Sequence, residues 1–239
     1  MRLSLQSLQQ QTAQGFEVVF VDYGSDNEYA AQVKEVVESF DFATYHYIAH
    51  PGLLWNKSKA LNYGIRQAKY DYILINDADV ILHPMAMEKF QYPCTPETFN
   101  LFKIGYLPES TSLEQVAATP FENLKPGHTG DTFGIGLFSK AGLETVHGLD
   151  EFFHFYGSED EDLNARLQQA GYALQREKEL LFLHLWHPRY PKKKRRPPHH
   201  TTPPLERTAH QSGALFKTKN IAKNNSRATG RLGKMLGSQ

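Results

Sequence analysis

The sequence predicts an α/β fold: a mostly parallel central sheet with helices on both faces. Three observations predict it. First, short apolar runs at 16–21, 44–48 and 72–75 alternate with amphipathic stretches at 28–40 and 57–68, the order of strand–helix–strand units. Second, Tyr72-Ile73-Leu74-Ile75 is apolar at four successive positions, which suits a strand buried on both faces. Third, the first and third runs end in acidic turn residues, Asp22 and Asp77/Asp79. Those acids fall at the carboxyl edge, where open α/β sheets bind ligands.

Taken in order, residues 2–12 are helical, with Leu5 and Leu8 on one face. The strand at 16–21 closes in Asp22-Tyr23-Gly24-Ser25-Asp26-Asn27, a turn that also caps the next helix. That helix carries Tyr29, Val33, Val36, Val37 and Phe40 on one face. A strand follows at 44–48, Pro51-Gly52 breaks the chain, and the next helix turns Ala60, Leu61, Gly64, Ile65 and Ala68 inward. After Asp79 the pattern loosens: a short helix near 84–90, a strand at 99–107, and a capping-box start at Thr111-x-x-Glu114. Gly134-Ile135-Gly136-Leu137-Phe138 is a strand with little bulk at its start, as if a ligand or backbone passes close. Ser158 and Glu161 form a second capping box, Leu163, Leu167 and Ala170 the buried face, and Gly171 ends that helix. Residues 180–183 are the last strand of the body.

Composition bounds the function. The chain has 239 residues, 40% hydrophobic and 22% charged, enough for one large α/β domain with an appendage and against wholesale disorder. One cysteine, Cys94, excludes an internal disulfide framework and a multi-thiolate zinc site and fits a reducing, cytoplasmic compartment. No run approaches a membrane span. Residues 189–239 hold 13 Lys/Arg and one acid, Glu206, which leaves residues 1–188 with 13 bases and 25 acids. An acidic body thus carries a basic extension. The run Lys192-Lys193-Lys194-Arg195-Arg196 has no periodicity and reads as a solvated linker. The remainder, from Leu205, has room for a helix but is too polar for a core of its own.

Three patterns carry chemistry. Asp77-x-Asp79 on a turn is either a solvated turn or a site for a hard divalent cation and, through it, a diphosphate. Four successive acids, Glu159 to Asp162, open a helix. Dipole complementation, about 0.3–1 kcal/mol per acid, explains their tolerance there; their mutual repulsion calls for an outside partner. His184-x-x-His187 after a strand is either two surface histidines or a pair of imidazole ligands.

Together the motifs resemble those of a known family. The strand ending Asp22-x-Gly24-Ser25, then Lys59-Ala60-Leu61-Asn62-x-Gly64, then Asp77-x-Asp79 is similar to the family 2 glycosyltransferases of GT-A fold. Residues 136–166, with Gly157-x-Glu159-Asp160, look like the carboxy-terminal half of the β-1,4-galactosyltransferase and chondroitin-polymerase type. The resemblance covers about residues 3–188 and implies a catalytic domain over 1–188 with a basic extension over 189–239. It implies an inverting, metal-dependent transfer of galactose, N-acetylgalactosamine or N-acetylglucosamine from a UDP-sugar to a saccharide acceptor in surface polysaccharide or glycan synthesis. Asp22 would receive the uracil or ribose, Lys59 would lie near the nucleotide, and Asp77 would contact ribose or donor sugar. Asp79 and His187, with His184 as a third ligand, would hold Mn²⁺ or Mg²⁺. Tyr156 and Glu159 would hold the acceptor, and Asp160 would be the base.

The sequence departs from that family in three places. The strand that precedes the first helix, central in the family's sheet, is absent, so residues 16–21 should lack a neighbour on one side and leave backbone groups unpaired. A start upstream of Met1 or a shortened domain accounts for it, and a non-catalytic nucleotide- or glycan-binding module is the alternative function. Tyr23 stands where an acid is common, and Ser158 replaces a glycine before the Glu-Asp pair. The basic run Lys192 to Arg196 is expected to touch an anionic membrane surface, at the inner face of the membrane. A nucleic-acid partner is not expected, since the run has no interleaved aromatic platform.

Overall fold

The computed structural model describes residues 1–49, 54–90, 95–154 and 157–188, and the backbone of 213–218. The Pro51-Gly52 break, Tyr156 and the run Lys192 to Arg196 lie outside the described residues. Among the described residues the chain runs α1 (Arg2–Gln9), β1 (Phe16–Tyr23), α2 (Asn27–Glu38), β2 (Ala43–Ile48), α3 (Lys57–Gln67), β3 (Tyr72–Asp77) and β4 (Val80–Ile81). It continues through α4 (Ala86–Lys89), β5 (Thr98–Tyr106), α5 (Leu113–Ala118), β6 (His128–Ser139), α6 (Lys140–Thr145), α7 (Glu159–Gln169), β7 (Ala173–His184) and β8 (Gly213–Thr218).

All eight strands form one sheet in the order β2-β1-β8-β3-β6-β5-β7-β4. The sheet is mixed, which corrects the expectation of a mostly parallel one. Only β1–β2 and β5–β7 pair in parallel; β8, β3, β6 and β4 meet their neighbours antiparallel. The reason is local. The early alternation of strand and helix predicts parallel pairs, but β6 and the strands around it are joined in ways that reverse direction, and no periodicity records direction.

Residues 213–218 are a strand, where the sequence left room for a helix. They lie between β1 and β3, the interval expected to stand open.

Helices cover both faces, as expected, and strand alternation sorts the core in two. Val18 and Phe20 of β1 and Leu74 of β3 join Leu5 and Leu8 of α1 and Val37 of α2 on one face. Val19, Val21, Ile73 and Ile75 join Leu61 and Ile65 of α3 and Leu163 and Leu167 of α7 on the other. In β5 the same alternation holds: Phe99 and Leu101 join the second face, Phe102 and Ile104 the first. Its pairing with β6 and β7 shifts register between Leu101 and Lys103.

Both capping boxes differ from expectation. The box at α5 is Ser112 with Gln115, one residue beyond the Thr111–Glu114 pair. Ser158 precedes α7 with φ 73° and makes no side-chain cap. That left-handed conformation departs from the extended one of a capping residue, and Glu159 Oε2 accepts from the Gly157 N–H at 3.0 Å.

Candidate active site

Asp79 and His184 meet because β4 and β7 pair. Val80 lies opposite His184 and Ile81 opposite Leu183, and the Leu185 N–H donates to the Asp79 carbonyl at 2.9 Å. His184 Nε2 then lies 3.6 Å from Asp79 Oδ2, and His187 Nε2 lies 3.4 Å from the same oxygen. The three side chains each offer one donor atom, all within 4.8 Å of one another. Tyr106, opposite His184 in the β5–β7 ladder, packs its ring 5.2 Å from the His184 ring and stacks on His128 at 4.5 Å.

The protonation of the two imidazoles tests this group for a cation. His184 Nδ1 lies 2.6 Å from the Leu185 carbonyl, and His187 Nδ1 lies 3.1 Å from the Pro188 carbonyl. A carbonyl only accepts, so each Nδ1 carries the hydrogen. In the neutral rings both Nε2 lone pairs then face a carboxylate oxygen. Lone pairs facing a carboxylate need a cation or a proton between them, and a backbone-bonded Nδ1–H is the usual support of a metal-binding imidazole. The residues present fit a divalent ion with one oxygen and two nitrogen donors.

Beside this group is an ion pair that the sequence did not single out. Lys57 Nζ lies 3.0 Å from Asp77 Oδ1. Burial works against the Lys57 ammonium, but Asp77, with Glu159 and Asp160 nearby, outweighs it and holds the lysine above its ordinary range. Burial likewise opposes ionised Asp77, and Lys57 overrides it, so the carboxyl lies below the usual range. Lys57, Phe133, Gly134, Glu159 and Asp160 line the same small cavity. Lys59 gives its backbone N–H to Asn56 at 2.8 Å, and among the described residues its side chain makes no hydrogen bond or ion pair.

Glu159 is 4% exposed. Asp160 meets β6 at Gly134, where an added Cβ would sit 3.0 Å from its Oδ2. The absent bulk read in the sequence thus leaves room for a carboxylate. Asn164 Nδ2 donates to the Phe133 carbonyl at 2.9 Å and ties α7 to β6. The loop leading to α7 is clamped by two asparagines, Asn56 at the amino-terminal cap of α3 and Asn62 within it. Asn62 donates to the Leu149 carbonyl and accepts from the Leu149 N–H, both at 2.8 Å, and reaches Glu151 Oε1 at 3.0 Å. Asn56 caps α3 and donates to the Glu151 carbonyl at 2.8 Å.

Asp22 ends β1. It is 1% exposed; its carboxylate accepts from the Ser25 N–H at 3.0 Å and the Tyr45 hydroxyl at 2.9 Å. Burial and that carboxylate hold the Tyr45 hydroxyl above its ordinary range. Val21 and Asp77 both lie opposite Gly213, so the ends of β1 and β3 flank β8, about 9.6 Å apart at two strand spacings.

Two families match this chain in sequence. Residues 1–97 match Glycosyl transferase family 2, and residues 118–188 match the N-terminal domain of galactosyltransferase. The first part of the chain is thus similar to family 2 glycosyltransferases and the second to the galactosyltransferase type. Solved structures include S. aureus TarS 1-349, at 16% identity and TM-score 0.55, over 76% of this chain and 55% of that one. The catalytic domain of Drosophila β1,4-galactosyltransferase 7, complexed with xylobiose, matches at 17% identity and TM-score 0.41, over 67% of this chain and 64% of that one. The chain thus spans 55% and 64% of the two solved chains, and the TarS likeness is one of fold. No curated protein matches it. Among the described residues no helix is long and apolar enough to cross a membrane.

Proposed function

We propose that this glycosyltransferase moves a hexose or N-acetylhexosamine from a UDP-sugar to a saccharide acceptor, with inversion, in surface polysaccharide or glycan synthesis. The observation that carries the reading is the Asp79–His184–His187 group beside a lysine that faces Asp77, Glu159 and Asp160 together.

Asp79, His184 and His187 would hold Mn²⁺ or Mg²⁺, and two imidazoles among three ligands favour Mn²⁺. When bound, the ion offsets the charge that grows on the leaving diphosphate. Asp22, Asp77 and Lys59 orient the nucleotide and donor sugar at the sheet edge, and Tyr156 and Glu159 hold the acceptor. Asp160 accepts the proton of the acceptor hydroxyl as that oxygen bonds the anomeric carbon and the carbon–diphosphate bond breaks. One displacement inverts the centre, so an α-linked donor gives a β-linked product. Lys57 offsets the repulsion among Asp77, Glu159 and Asp160.

The test is UDP release by the full chain with Mn²⁺, a panel of UDP-sugars and a saccharide acceptor. Turnover that requires all three components supports the reading. Binding of UDP and Mn²⁺ with no turnover on any donor would instead assign a nucleotide-binding module.

A further inference from the structure

β1 and β3 do not pair with each other. Six residues of β1 and all six of β3 pair with opposite sides of β8. β1 and β3 are buried on both faces, with Val18, Ile73 and Leu74 at 0% exposure. Without β8, two facing rows of backbone N–H and C=O groups would stand unpaired inside the protein, each needing a partner. Closing the gap by sliding β1 onto β3 would pull apart the helices packed on both faces.

The occupant arrives from far along the chain. Pro188 and Gly213 are separated by 24 residues, and a connection of that length adds little closure cost beyond a shorter one. Recognition by main-chain pairing on both sides is the physics of strand addition, in which an extended segment of almost any sequence can serve. The register places a glycine, Gly213, directly between Val21 and Asp77. The strand therefore begins at the edge that carries Asp22 and Asp77.

We infer that the interval between β1 and β3 is a docking slot for an extended segment, that its occupant is residues 213–218 of the same chain, and that this docking sets the separation of Asp22 and Asp77. The basic extension is thus tied to the sheet at its centre. The inference stands on strand pairing and holds whatever reaction the site performs.

Hydrogen exchange of the full chain tests it. Residues 213–218 are expected to exchange as slowly as β1 and β3. Exchange of 213–218 at the rate of an unstructured peptide, with β1 and β3 protected, overturns the inference. Leu215→Pro removes one N–H from the middle of the ladder and disfavours a central strand. It is expected to release 213–218, 16–23 and 72–77 together; unchanged protection of β1 and β3 overturns the inference. Should that variant not fold, cysteine pairs decide. In a Cys94→Ser background, Val19→Cys with Leu215→Cys, directly opposite in register, is expected to cross-link within one chain under mild oxidation. Val21→Cys with Thr218→Cys, five positions out of register, is expected not to. A link between two chains, or equal linking by both pairs, contradicts the assignment.

Discussion

Asp79 and His184 stand together because two strands pair residue by residue, whereas Glu159 and Asp160 arrive on a helix placed by side chains. On the imidazole side, β4–β7 and β5–β7 ladders fix the backbone, and two carbonyls orient the rings. On the carboxylate side, Asn56, Asn62 and Asn164 hold the loop and helix. Ladder-built positions fail only when the sheet fails. Clamp-built positions fail one hydrogen bond at a time. The base side is therefore the one that single substitutions can loosen while the metal side stays whole.

The sharpest break between the two sides is Asp160→Asn, which keeps shape and removes proton acceptance. It is expected to lower kcat by about 10²–10⁴-fold and to leave Mn²⁺ affinity unchanged, as read by UDP release and by free-Mn²⁺ spin resonance. His187→Ala reverses the pattern. Its Mn²⁺ affinity is expected to fall by at least roughly 10–100-fold, the scale set by loss of a mere supporting partner, while the unfolding midpoint stays near wild type.

Asn62→Ala tests the clamp itself. It strands the Leu149 N–H and C=O and is expected to cost about 1–3 kcal/mol in urea unfolding. Acceptor KM should rise, with Mn²⁺ affinity held. The smallest effect is expected of Gly134→Ala. Its Cβ would sit 3.0 Å from Asp160 Oδ2 and displace the carboxylate by a few tenths of an ångström, lowering kcat by roughly tenfold or less. If that variant instead weakens Mn²⁺ binding, the two sides are not mechanically separate.

What the sequence made legible follows the same division. Asp22, Asp79, Asp160 and His187 lie at or just beyond the ends of clear periodic elements, so their residue types and positions pointed at a site. The α/β class and the two helical faces were legible from alternation, because burial on a pleated or helical surface repeats at fixed periods. Sheet direction was not, since no local pattern distinguishes a parallel neighbour from an antiparallel one when both faces are buried. Lys57 was not legible either. Its role depends on Asp77 and two acids of α7, contacts that exist only after folding. The same holds for β8: Gly213 to Thr218 carry no strong strand pattern, and their pairing is dictated by the interval between β1 and β3.

Anomalous scattering from crystals of the full chain grown with Mn²⁺ and UDP tests the central claim most directly, that imidazoles and carboxylates from distant elements serve one cleft. The account predicts a manganese peak at bonding distance from Asp79, His184 Nε2 and His187 Nε2, with the diphosphate between that ion and Lys57. A peak elsewhere, or a diphosphate turned away from the Lys57–Asp77 pair, would contradict it.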